Sequence, residues 1–566
     1  MTIVLTPTKL RDWQPATGHH AVRSRRRLVA VRLLSVCCGT LLTGQSLVIA
    51  QSLPAGPTAS ELKLIAALTS PAAVATEESP TTATSGTIAP TDMFLGSLSC
   101  ASASCHGNPR RESVLGSAAH FFMDRDTHQR GGEVLRGQRS REMAARLNLP
   151  RPAWETRECL ACHAPAAMDV ADHKDFPGKL AEGVGCESCH GPAREWLGPH
   201  HTREWQQSAV WSGDQKARAG FRDTKDLPTR VGVCADCHVG NARQYVSHDF
   251  IAAGHPRLTF EYSAFQSQMP VHWSRAEDRK RSPVANNAPS SDRSTYEAKN
   301  WLIGQLVTAD HELDILSAAA GNSKHVWPEF AQYDCFGCHH DLSSPSWRQA
   351  RTAWKLGPGE LPWGTWSFGL LAETERHLPA VASRQIASDQ AALRTAMRTA
   401  SPDKSRALAL IAEMRPKLAD TSRQLSQSSF TAADIASLRD ALLADHATLT
   451  MQGWDRAAQL YLAAVALDKG VTDARGNGNR VDPARREAFL RLRELLSYRG
   501  SNNNAVPPFD HHDSPFRLDA NGPEIRRQFR QLQLPSPVNN TNRPARADDA
   551  AGQRDGATSP PVSEME

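Results

Sequence analysis

The sequence predicts a mainly α-helical chain with little regular sheet. It reads as a cysteine- and histidine-rich block followed by a C-terminal helical bundle. Three observations predict this. Ten of the 12 cysteines fall in five Cys-Cys-His motifs between residues 100 and 339. The surrounding block, 93–345, holds 16 of the 22 histidines but few large aliphatic side chains, so something other than Leu and Ile must fill its interior. Beyond Cys338 there is no cysteine, and apolar residues recur at helical spacing.

The first 50 residues read as an export signal: Arg23, Arg25, Arg26 and Arg27 precede an apolar run that ends in Val48-Ile49-Ala50. Arg32 interrupts that run, which argues against a membrane span but leaves an uncleaved membrane anchor as the alternative. Residues 51–92, rich in Ala, Thr, Ser and Pro, read as a disordered linker. The formal charge of +5 is concentrated at the front, where residues 1–50 carry seven Lys/Arg and one Asp, leaving −1 for the rest. Nothing in this balance supports nucleic acid as a partner.

Four of the motifs are Cys-x-x-Cys-His: Cys159, Cys162, His163; Cys186, Cys189, His190; Cys234, Cys237, His238; and Cys335, Cys338, His339. About 0.01 are expected by chance in a chain of this composition. The remaining motif, first along the chain, is wider, with Cys100, Cys105 and His106, and its extra residues are expected to loop out. The pattern is that of c-type haem attachment: two thiols add to the vinyl groups of one haem and the next His coordinates the iron. Zinc knuckles would not require a His after every second Cys. Five covalently attached haems c are therefore expected, in a pentahaem domain over 93–345 with a haem-filled core.

A haem iron takes two axial ligands, and 11 histidines of the block are not in motifs. His128, His201, His248, His255 and His325 are the candidates for the second position. His128 and His201 fall just beyond motifs, His248 and His255 flank the apolar turn after the fourth, and His325 precedes the fifth. His272, His120 and His200 are reserves. His340 is expected to meet a propionate, as are Arg194, Arg243 and Arg257. His173 and His311 have no assigned place.

Polar residues from 275 to 299 suggest an exposed loop. In the helical domain, 346–500, one helix is expected from about Pro402, kinked by Pro416, and another from Thr431. A third runs through Trp454, Tyr461 and Val465 and stops at Gly470; a fourth opens at Asp482-Pro483 and ends by Gly500. Residues 501–566 read as a mostly disordered tail. A cut after Pro345 is then expected to leave a folded, haem-loaded block.

Several stretches around the motifs carry a resemblance. They are Asp126-Thr-His128, Gly183-Val-Gly-Cys-Glu-Ser-Cys-His-Gly-Pro192 with Trp196 and His201, Ala253-Gly-His-Pro-Arg257, and His272-Trp273. Over roughly 93–345 the chain resembles the cytochrome c554 family of multihaem cytochromes. The resemblance implies periplasmic electron transfer between redox partner proteins, or within a membrane-associated complex, through closely stacked haems with mostly two His ligands. It also implies that one haem can lack its second ligand. The chain departs from the four-haem members in having five motifs and a helical extension, where residues 454–461 resemble the tail of larger multihaem cytochromes. The competing function is a multihaem oxidoreductase acting on a small nitrogen or sulfur compound at an open haem. The absence of any Cys-x-x-Cys-Lys counts against one such chemistry.

Overall fold

A computed structural model describes residues 93–109, 115–168, 176–272, 295–322, 326–339, 356–378, 384–474, 482–497 and 521–533. The expected signal, linker and far tail lie outside these residues, as do His173, His325 and His340. Of the described residues, helix accounts for 67% and strand for 2%, the mainly α class that the sequence predicts. The only sheet among the described residues is a two-stranded ribbon, β1 (Gly240–Asn241) against β2 (Gln244–Tyr245), antiparallel with Gly240 opposite Tyr245.

The cysteine-rich block is built from short helices. Those that matter for the site are α1 (Arg157–His163), α2 (Cys186–His190), α3 (Leu227–His238) and α4 (His248–Ala253). Among its described residues up to 230, the apolar packing amounts to two small clusters, one around Leu160 and Leu180 and one of Ala193, Trp196 and Trp205.

The large core lies further on. Helix α5 (Tyr296–Gly321) is buried on nearly all sides through its first half, from Ala298 to Leu306. A helix buried all round belongs at the centre of a bundle. It packs against α3, against α6 (Lys404–Gln427) and against α8 (Trp454–Ala474). One apolar cluster therefore runs from Val231 on α3 to Leu532 on α10 (Asn521–Gln533). Ion pairs add register: Arg415 on α6 reaches Asp310 at 2.8 Å and Asp314 at 2.6 Å, both on α5.

The start of α5 corrects the last residues of the expected loop over 275–299, whose positions 275–294 lie outside the described residues. Thr295, Ala298 and Lys299 are buried, because the polar residues there are the opening turn of the central helix. Gly470 does not stop α8. A Cβ at that position would lie 3.2 Å from the Cβ of Ala298, so this glycine serves the close approach of α8 to α5. Pro416 sits inside an unbroken α6 on its exposed side. The caps follow the sequence closely. Thr431 and Asp434 form a capping box on α7 (Ala432–Ala444), and Asp482 caps α9 (Pro483–Leu496) through the Ala484 amide. Within 501–566, α10 buries Ile525, Phe529 and Leu532. Among the described residues no helix is long and apolar enough to cross a membrane.

Candidate haem-binding site

The attachment motifs use helical geometry. In α1, α2 and α3 the two cysteines stand three residues apart and the His four residues after the first, so all three share one helix face. The fifth motif closes a short 3₁₀ turn, with the His339 amide donating to the Cys335 carbonyl at 2.8 Å. The wide motif reaches the same end by a turn. The amides of Cys105 and Gly107 both donate to the Ser102 carbonyl at 2.9 Å, and the His106 amide returns to the Cys100 carbonyl at 3.3 Å. The extra residues are thereby looped out.

Each motif histidine faces a second imidazole from elsewhere in the chain. Ring centres lie 6.4 Å apart for His106 and His200, and 6.4 Å for His163 and His255. The separations are 6.3 Å for His190 and His272, 6.0 Å for His238 and His128, and 6.2 Å for His339 and His248. With metal–imidazole bonds of about 2.0 Å and a coordinating nitrogen roughly 1.1 Å from its ring centre, two imidazoles on opposite faces of one iron have centres roughly 6.2 Å apart. The spacing thus suits one iron between each pair, with the cysteines of the motif beside it. The rings fall into two classes. They are nearly perpendicular at His163–His255, His190–His272 and His128–His238, at 76–77°, and nearly parallel at His106–His200 and His248–His339, at 23°.

The far ring nitrogen of several of these histidines is already engaged. Nδ1 of His106, His200 and His255 lies 2.9, 2.5 and 2.8 Å from the carbonyl oxygens of Leu115, Leu197 and Pro256. A carbonyl only accepts, so Nδ1 carries the proton and Nε2 keeps its lone pair. His128 makes the same bond to a carboxylate, with Nδ1 2.8 Å from Asp126 Oδ1. Burial pushes the imidazoles of His190, His238 and His255 down to about 4, so they are neutral donors at pH 7.

Of the sequence candidates, His128, His248 and His255 are brought against motif histidines. His201 is exposed and its ring lies against His200, which is the one that faces His106. The two share a 3₁₀ helix, Pro199–His201, and consecutive side chains there point in different directions. Trp196 packs edge-on against His200, a contact that spacing alone does not reveal. His272, held as a reserve, faces His190. His120 instead meets the Gly107 carbonyl through Nε2 at 3.2 Å. His311 is spent on Asp236, at 3.4 Å, and on the Val307 carbonyl.

Arg257 is also committed to protein. Its guanidinium binds both carboxylate oxygens of Asp455 on α8 at 2.9 Å, and Thr365 donates to the same carboxylate. Nearby, Glu312 and Glu329 line a small cleft with Arg257, Phe260 and Trp366. Burial pushes the Glu312 carboxyl up to about 7; a hydrogen bond from Ser367 and the charge of Arg257 oppose this, while Glu329 and Asp455 add to it. The folded chain then keeps a proton that the unfolded chain releases. The stabilisation is complete below the ordinary glutamate range and is lost as pH rises through about 7. Glu312→Gln is expected to flatten the stability curve between pH 5 and 8, with a gain of up to about 3 kcal/mol at the alkaline end. Denaturant melts across that range read the difference.

The family described as cytochrome c554 and c-prime matches residues 99–191, which contain the first three motifs. Cytochrome c-554 of Nitrosomonas europaea is 29% identical over 153 residues, 25% of this chain. The chain spans 61% of that relative's length. No solved structure matches. Over these residues the chain is similar to cytochrome c554.

Proposed function

We propose that the protein is an exported electron carrier that holds five covalent haems c and passes electrons between redox partner proteins in the periplasm. The observation that carries this reading is the set of five facing imidazole pairs, one for each attachment motif. The ten motif cysteines would hold the porphyrins. His106, His163, His190, His238 and His339 would bind iron from one side, and His200, His255, His272, His128 and His248 from the other. When bound, a bis-imidazole haem exchanges one electron with little change in geometry. The chain's own part is to fix the tautomers, keep the imidazoles neutral and close both faces of each site. An enzyme acting on a small molecule would need one face left open, and each motif histidine has its partner.

Electron paramagnetic resonance of the ferric protein tests this. Near-parallel imidazole planes separate the iron orbital energies, and perpendicular planes leave them nearly degenerate. The expected spectrum is wholly low-spin, with two rhombic signals and three strongly anisotropic ones. A high-spin haem in the parent protein would overturn the carrier reading. His200→Ala should create one high-spin haem that binds carbon monoxide when reduced, and His201→Ala should not.

A further inference from the structure

Helix α4 is the only described helix bracketed by two of the facing histidines. His248 opens it and faces His339 of the fifth motif; His255 follows it and faces His163 of the second. The helix is six residues long, roughly 9 Å. Its end is fixed by a Schellman closure, with the Gly254 amide donating to the Ile251 carbonyl at 3.0 Å and the His255 amide to the Phe250 carbonyl at 2.8 Å. Gly254 has φ 120°, which favours glycine. Arg139 and Arg146 clamp this end through the Gly254 and Ala253 carbonyls. At the other end the His248 amide donates to Glu329 at 2.9 Å, and Glu329 also accepts from the Ala331 amide in the turn leading into the fifth motif.

The other four sites meet through the elements that carry them. Ser97, in the turn that ends at Cys100 of the first motif, accepts from the Cys186 amide of the third at 2.9 Å. Helix α2, with the third motif, packs against α3, with the fourth. Cys237 Sγ of the fourth lies 4.0 Å from the Ala161 carbonyl, between the two cysteines of the second. The fifth motif sits instead against the segment around Pro362, whose carbonyl accepts from the Asp334 amide at 3.0 Å. Among the ten attachment cysteines, Cys105 of the first motif and Cys338 of the fifth are the exposed ones. The near-parallel ring pairs also belong to these two motifs.

We propose that α4 is the junction that adds the fifth haem site to the second, so that the sites run first, third, fourth, second, fifth, with the first and fifth at the exposed ends. This rests on the haem occupancy proposed above. The test is electron paramagnetic resonance of the full-length ferric chain, after the haems have been counted by mass. His248→Ala and His255→Ala should each open one iron and give one high-spin signal. In the double variant the open irons are neighbours, and coupling should broaden both signals below the sum of the single variants. His248→Ala with His200→Ala opens the two ends and should give the full sum. Full additivity in the first pair, or loss of signal in the second, overturns the junction. Fewer than five haems in the parent chain overturns the occupancy itself. If the first double variant fails to load, His248→Met and His255→Met, which retain a ligand, are titrated instead. Reduction of one site should then shift the potential of the other, and independent titration overturns the junction.

Discussion

Truncation after Pro345 is expected to destroy the cooperative fold, not to release an intact haem block. The cut removes α6 and α8, the helices packed on α5. Trp301, Leu302, Ile303, Leu306, Leu313 and Leu316 of α5 are all buried in the cluster those helices complete. Each such side chain gains roughly 1.5–3 kcal/mol from burial. Exposing even three or four of them consumes most of the 5–15 kcal/mol, roughly, that holds a domain together. Thermal melts followed by circular dichroism, with haem retention, would check this. A sharp transition and five low-spin haems in the fragment would show that the block carries its own core, as the sequence reading expects.

Arg257→Ala is expected to cost about 3–5 kcal/mol, because it strands the Asp455 carboxylate in the interior. The pair is more than nine-tenths withdrawn from solvent on the Asp455 side and closely so on the other, with side-chain exposures of 6% and 13%. Thr365 satisfies only one carboxylate oxygen of the stranded group. Arg257→Met combined with Asp455→Leu should recover most of the loss, since a packed apolar pair of similar volume replaces a desolvated ion pair at little net cost. Chemical denaturation of the three variants gives the comparison. Recovery by the double variant separates a stranded charge from a general packing defect.

The motif geometry and several helix starts were legible because each is a local rule. Cys-x-x-Cys-His states its own geometry, and Thr431 and Asp482 satisfy amides two or three residues away. What local reasoning missed was decided at long range. The choice of His200 over His201 depends on Trp196 and on the place of His106 across the chain. The helical opening at Tyr296 hides among polar residues because its burial comes from α6 and α8, more than 100 residues later. Gly470 reads as a stop until Ala298 is seen against it. Arg257 reads as a propionate partner until its distance to Asp455, 198 residues away, is known.

The bond between His128 and Asp126 sets one of the five pairs apart. The described partners of the His106, His200 and His255 rings are neutral carbonyls, while His128 gives its Nδ1 proton to a carboxylate. A carboxylate draws that proton further and makes the opposite nitrogen a stronger base. An iron bound by His128 and His238 would therefore be held more firmly in the ferric form than one bound between carbonyl-backed rings. In the proposed sequence of sites it would stand at the middle, so the energy profile along the row would have its hill inside the protein. Electrons would settle on either side of that hill, leaving the fourth site the last to fill and the first to empty.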